Sequence, residues 1–243
     1  MLGCDGSWPG PGGAGSGYLV EAGGTVILLD AGPGTFARLQ QWGDPGRIDA
    51  VVLTHEHPDH WSDLESFATW TSCGSGVAGY RRRRAPLLVY APPGLRRWSH
   101  YQQQADVVAW REVEPRSELL VGQLALRFDR TDHGPPTLAV RLAHGEGTLV
   151  YSADTGTGWS MADAFGPGIG TFLCEATYTA EREGSFKHLS GREAAVMASA
   201  ADVGRLILTH RWPTVSAEAV RTEAEASFGP GVEQAHDGAV FAW

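Results

Sequence analysis

Short runs of apolar residues, bounded by glycine, proline or charge, recur along the whole chain. They read GYLVEA (17–22), TVILLD (25–30), AVVLT (50–54), LLVY (87–90), LALRF (124–128), LAVRLA (138–143), TLVYSA (148–153), TFLC (171–174) and RLILT (205–209). Their length and their β-branched and aromatic content predict strands. Several are apolar throughout, as a strand covered on both faces must be. The AGG at 22–24 is a hairpin signal between the first two runs. Helices are predicted in the gaps. One begins near Pro58 or Asp59 and continues through HWSDLESFATW. A second follows Ser190, where Ser190 and Glu193 form an S-x-x-E capping box ahead of AAVMASAA. A third covers SAEAVRTEAEASF at 216–228. Strands and helices alternate imperfectly, with hairpins mixed in. That pattern fits two mixed sheets with outer helices better than one doubly wound parallel sheet. No long repeat and no dividing linker is visible, so one domain spanning 1–243 is expected.

Composition narrows this picture. With 243 residues, 42% of them hydrophobic, the chain can bury one large core or two small ones. The 32 glycines and 14 prolines supply tight turns for an α/β protein rich in loops. A formal charge of −9 argues against a large nucleic-acid surface, whose affinity comes from neutralising phosphates. It leaves room for a small anionic substrate, because bound metal ions can dominate a local field. The three cysteines, Cys4, Cys73 and Cys174, are odd in number and have no CxxC spacing. A reducing, cytoplasmic setting is therefore expected. The start MLGCDGSWPG has no basic flank before an apolar core, and no apolar run approaches the roughly 18 residues of a membrane span. Neither a signal peptide nor a membrane partner is expected.

The chemistry concentrates in THEHPDH at 54–60. The apolar strand before it ends at Thr54. His55 and His57 are two apart, so an extended segment points them the same way. Pro58 is tolerated in the first turn of a helix. Asp59 and His60 follow at that turn and can reach a neighbouring position. The spacing offers two adjacent metal sites, and imidazole with carboxylate suits zinc, iron or manganese. Three more candidates stand at the ends of later strands: His133 in LRFDRTDHG, Asp154 in TLVYSADTG and His210 in RLILTHRW. Asp154, with two oxygens, is the natural bridge.

In this order, THEHPDH, DHG, SADTG and LTH closely resemble the metallo-β-lactamase fold of metal-dependent hydrolases, over nearly the whole chain. The resemblance implies a four-layer αββα sandwich, α/β in class (α+β), with two mixed β-sheets and the site along their shared edge. It assigns His55, His57 and His133 to one metal and Asp59, His60 and His210 to a second, with Asp154 bridging. Two divalent transition-metal ions are implied, zinc first, with manganese or iron as alternatives. LLDAGPG (28–34) looks like the family's early Asp–Gly loop and would place Asp30 behind the ligands.

Fold does not fix substrate, but local features lean one way. DHGPPTLAVRL, YSADTG and CEATYTAEREGSFKHLSGREAA are similar to segments of the ribonuclease Z-like branch. That likeness keeps Glu175 as a supporting residue and implies that His188 protonates the leaving oxygen. It also implies a hydroxide held between the metals that attacks phosphorus, with Asp59 orienting it or taking its proton. Only residues 134–153 separate His133 from Asp154, and they read as two strands joined by HGEG. The long arm of the transfer-RNA-processing enzymes does not fit there. LGCDGS near the start resembles the cyclic-nucleotide phosphodiesterases of the same branch, which lack that arm.

The expectation is a dinuclear phosphodiesterase acting on a small or cyclic nucleotide, with no long nucleic acid as partner. The alternatives are hydrolysis of a lactone, thioester or β-lactam, an RNA-cleaving enzyme without the arm, and a non-catalytic metal-binding scaffold. Trp61 and Trp212 flank ligand positions and are candidates to line a pocket. The run Arg81, Arg82, Arg83 and Arg84 reads as a solvated loop, with a phosphate clamp as its functional alternative. A homodimer stays open.

Overall fold

The computed structural model describes residues 1–73 and 86–243. Two sheets pack face to face. The first contains β1 (Tyr18–Ala22), β2 (Thr25–Leu29), β3 (Ala50–Val52), β4 (Leu87–Ala91) and β5 (Val108–Glu112), hydrogen-bonded in chain order. β1 and β2 make the expected hairpin, with Tyr18 opposite Leu29. From β2 onward the strands run parallel. The second sheet contains β6 (Glu118–Val121), β7 (Leu124–Arg130), β8 (Leu138–His144), β9 (Gly147–Tyr151), β10 (Thr171–Glu175), β11 (Arg205–Thr209) and β12 (Glu233–Gln234), again in chain order. β6 to β9 form an antiparallel meander, and β9 to β12 run parallel.

The period of two in the strands divides the apolar residues between layers. Ile27 and Leu29 of β2 face the second sheet, where they join Phe128, Tyr151 and Ile207 in the central core. Val26 and Leu28 of the same strand face outward. There they pack against Leu39 of α1 (Thr35–Trp42) and Leu64 and Phe67 of α3 (Leu64–Cys73), with the short α2 (Pro58–Trp61) between them. On the far side, Phe172, Leu206 and Leu208 meet α4 (Met161–Phe165), α5 (Gly191–Ala200) and α6 (Ala217–Phe228). This is the expected four-layer αββα arrangement, and it explains why TVILL and RLILT are apolar without alternation.

The single helix predicted from Pro58 breaks into α2 and α3. The backbone at the break is used elsewhere. Asp59 O accepts from Ser16 N at 3.0 Å, and Asp63 N donates to Ala31 O at 2.8 Å. The bond that would link residues 59 and 63 in a continuous helix is replaced by contacts that dock two loops. The capping box at Ser190 and Glu193 is formed, and Ser216 caps α6. The residues 81–84 lie outside the described part of the chain. Among the described residues no helix is long and apolar enough to cross a membrane.

Candidate metal centre

Parallel strands place their C-terminal ends at one edge, and there the chemistry collects. Asp30 follows β2, Thr54 to His60 follow β3, His133 follows β7, Asp154 follows β9, Glu175 ends β10 and His210 follows β11. Three of these turns use a non-glycine residue in the left-handed region: Asp30 (φ 56°), Ala153 (φ 52°) and His210 (φ 55°). Such residues are uncommon and mildly strained. Here they end the strand abruptly and turn a side chain into the edge.

Two groups of donors result. The ligand atoms of His55, His57, His133 and Asp154 lie within 4.8 Å of one another, as do those of Asp59, His60 and His210. Asp154 stands between the groups. Its Oδ2 is 3.5 Å from His55 Nε2 and 3.6 Å from His133 Nε2. Its Oδ1 is 3.2 Å from both His60 Nε2 and His210 Nε2.

Hydrogen bonds behind the rings fix which nitrogen faces inward. Asp30 is fully buried, and its Oδ2 accepts from Thr54 Oγ1 (2.9 Å), His60 Nδ1 (2.7 Å) and Tyr151 OH (2.9 Å). Its Oδ1 accepts from Thr54 N at 2.8 Å. Because the Thr54 hydroxyl donates to Asp30, it accepts from His55 Nδ1 at 3.1 Å. Likewise Thr177 Oγ1 donates to Glu175 Oε2 (2.7 Å) and so accepts from His210 Nδ1 (3.0 Å). His133 Nδ1 donates to Lys187 O at 3.0 Å. Each of these four imidazoles therefore turns Nε2 toward Asp154.

Burial, then the neighbouring His60, pushes His55 down to about 3, so it is neutral. Its inward Nε2 and Asp154 Oδ1 are buried and have no hydrogen-bond partner. Orphaned buried acceptors are rare and costly. Two of them, among inward-facing imidazole nitrogens and carboxylates, fit divalent cations.

His188 sits beside both groups. One of its ring nitrogens lies within 4.8 Å of the ligand atoms of Asp154 and His210. Its Nδ1 is 3.0 Å from Glu175 Oε1. Burial opposes a charge there, but the Glu175 carboxylate, helped by Asp154, outweighs it and pushes the imidazole up to about 9. Asp132 fastens the surrounding loops: its carboxylate meets Lys187 Nζ (2.6 Å) and Gly158 N (3.1 Å), and its carbonyl accepts from Gly156 N (2.7 Å).

Trp61 turns away from the groups, donating Nε1 to Glu56 O and packing against the outer core. Trp212 instead lies among Trp8, Tyr178 and Phe186. Sequence reasoning did not single out Thr54, Tyr151, Thr177 or Ser7, whose N–H donates to Asp59 Oδ2 at 2.7 Å. Thr177 lies inside CEAT, two residues after Glu175, and that spacing was the available signal.

Comparison with known proteins agrees with the geometry. The model of the beta-lactamase superfamily domain matches residues 25–211. The chain belongs to this superfamily. Within it, uncharacterized protein Rv1339 of Mycobacterium tuberculosis is 33% identical, over 95% of this chain and 86% of its own. The probable metallo-hydrolase YhfI of Bacillus subtilis is 28% identical over 100% of this chain and 98% of its own. The crystal structure of YhfI, described as a metallo-beta-lactamase fold protein, superposes with a TM-score of 0.88 at 27% identity, covering 99% of this chain and 97% of that one. A ribonuclease Z of Methanopyrus kandleri is 29% identical over 98% of this chain and 95% of its own. The superfamily member described here is a metallohydrolase with a His/Asp metal-binding cluster.

Proposed function

We propose that this metallohydrolase is a phosphodiesterase for a small or cyclic nucleotide, with His55, His57, His133 and Asp154 holding one metal ion and Asp59, His60, His210 and Asp154 a second. When bound, two such ions supply charge for the phosphoryl oxygens and acidify a water. Zinc suits the donors best.

The observation that carries the reading is His188. A phosphodiester leaves as an alkoxide, which needs a proton, whereas a thioester leaves as a thiolate, which does not. His188 is a proton carrier at the edge of the cluster. Glu175 accepts from its Nδ1 at 3.0 Å and leaves Nε2 as the donating nitrogen. Asp59, whose Oδ2 accepts from Ser7 N, would orient a water and take its proton. The ribonuclease among the relatives supports phosphodiester chemistry. β8 and β9 fill most of the segment between His133 and Asp154, which supports a small substrate over transfer RNA. Three free cysteines support a cytoplasmic setting.

The test is metal content by mass spectrometry, together with hydrolysis of a cyclic nucleotide, a bis-aryl phosphodiester, a lactone and a thioester. About two ions per chain and preferential diester turnover are expected. His188→Ala should lose about 10²–10⁴-fold on the cyclic nucleotide. Unchanged turnover in that variant removes the acid assignment, and failure to bind any transition metal removes the whole reading.

A further inference from the structure

We propose that Trp8, Phe186 and Trp212 form a platform on which the planar base of the substrate stacks, a proposal that rests on the nucleotide phosphodiesterase reading. Trp8 is 45% exposed and Phe186 54% exposed. Their rings converge on Trp212, with centroids at 5.8 Å and 5.6 Å. Large apolar side chains exposed singly are ordinary, but a contiguous exposed patch marks a binding surface. Trp42 and Trp98 are also exposed, Trp42 beside Val240, Phe241 and Trp243 and Trp98 beside Arg97.

The three rings arrive on the segments that build the site. Trp8 follows Ser7, whose N–H holds Asp59 and whose hydroxyl accepts from Trp212 Nε1 at 2.9 Å. Trp212 lies two residues beyond His210, and Phe186 two residues before His188. The backbone carbonyls of Phe186 and His188 both accept from Tyr178 OH, at 3.1 Å and 2.8 Å. The patch is therefore fixed to the second donor group and to the acid, not placed at random on the surface. Phe186 and Tyr178 meet Trp212 edge-on, and the Arg182 guanidinium lies 5.5 Å from its ring centroid. Trp212 is thus the half-buried support, and Trp8 and Phe186 carry the more exposed faces. Aromatic faces, where leucine or isoleucine would cover the same area, favour a planar π system. A nucleobase joined to a phosphodiester is the occupant with a planar ring at one end and a reacting phosphorus at the other.

The experiment uses the metal-loaded protein and two substrates, a nucleoside 3′,5′-cyclic phosphate and the abasic ribose 3′,5′-cyclic phosphate. The double variant Trp8→Leu, Phe186→Leu keeps apolar bulk and removes the rings. Trp212 is left alone because it is tied through Ser7 to Asp59. The ratio of kcat/KM for the nucleotide to that for the abasic diester should fall at least about fivefold, from the worth of one base stack. Trp8→Tyr with Phe186→Tyr should restore most of the ratio. A ratio equal to that of the wild type overturns the platform alone. A wild type that cleaves neither diester overturns the phosphodiesterase reading and the platform with it. A larger loss on an aliphatic acyl thioester than on the nucleotide assigns the rings to an acyl chain and also overturns the proposal.

Discussion

Asp30→Asn separates the strength of the fold from the ability of the cluster to hold a cation. Asparagine tolerates the left-handed backbone found at Asp30, so the turn itself survives. The amide oxygen can still accept from Thr54 N. The amide nitrogen replaces Oδ2, which accepts from Thr54 Oγ1, His60 Nδ1 and Tyr151 OH. The new amide offers two N–H groups to these three partners, so one hydroxyl can turn round and accept while the other loses its bond. The remaining conflict is His60, which can relieve it by moving its proton from Nδ1 to Nε2. Nε2 is the atom 3.2 Å from Asp154 Oδ1 and 3.1 Å from His210 Nε2. A proton there removes the lone pair from the second donor group. The stability loss should therefore be moderate, about 1–3 kcal/mol for one charge-assisted bond, or roughly 2–12 °C in Tm. The affinity of the second ion should drop about 10–100-fold, as when a partner behind a ligating histidine is lost. Chelator competition on the folded protein measures the second quantity, and thermal unfolding of metal-free protein measures the first. Tyr151→Phe is the control, since it removes one donor to Asp30 without touching His60. It should cost about 1 kcal/mol and leave metal affinity intact. An Asp30→Asn variant that binds two ions as tightly as the wild type refutes the tautomer argument.

Three further outcomes follow from packing and burial. In Gly32→Ala the new Cβ would stand 2.0 Å from Asp59 O and 2.8 Å from Ser16 N. Both are backbone atoms, so a loss of at least about 1–3 kcal/mol is expected, and an unchanged urea midpoint would contradict the contact. Ser190→Ala removes the cap of α5 and the bond to Glu183 Oε1 at 2.6 Å, for a loss of about 1 kcal/mol by the same assay. Iodoacetamide at pH 8 should label Cys73, which is exposed, and spare Cys4 and Cys174, which are buried. Burial, with Asp237 nearby, pushes the Cys4 thiol up to about 12, so only about 10⁻⁴ of it is thiolate at pH 8. Peptide mass mapping checks the pattern, and rapid labelling of Cys4 in native protein would refute it.

The strands that build the central core were legible because buried parallel strands are apolar on both faces, as TVILL and RLILT are. The site was legible for a related reason. His55, His133, Asp154 and His210 each follow an apolar run, and a charged or ligating residue there has nowhere to go but the sheet edge. β5, β6 and β12 escape the apolar pattern. They are short edge strands, VAWRE, ELLV and EQ, that are only partly buried. α1 and α4 are short, and their apolar residues do not complete a stripe. The break between α2 and α3 depends on Ser16 and Ala31, which reach it only through the tertiary fold. Thr54 and Tyr151 look like ordinary strand residues. Their importance lies in one hydroxyl each, and no local pattern marks that.

The two sheets are also two consecutive halves of the chain. β1 to β5 end at Glu112, β6 begins at Glu118, and the polypeptide passes from one sheet to the other through the turn between them. His55, His57, Asp59 and His60 lie before that turn, while His133, Asp154, His188 and His210 lie after it. Neither of the two proposed ligand sets is complete in one half, although Asp154, His188 and His210 all lie in the second. The metal centre is thus a seam between halves, and the exposed turn at 114–116 is a natural place to cut. Two fragments expressed separately would rebuild both ligand sets only by reassembling, which turns retention of two ions into a direct reporter of complementation.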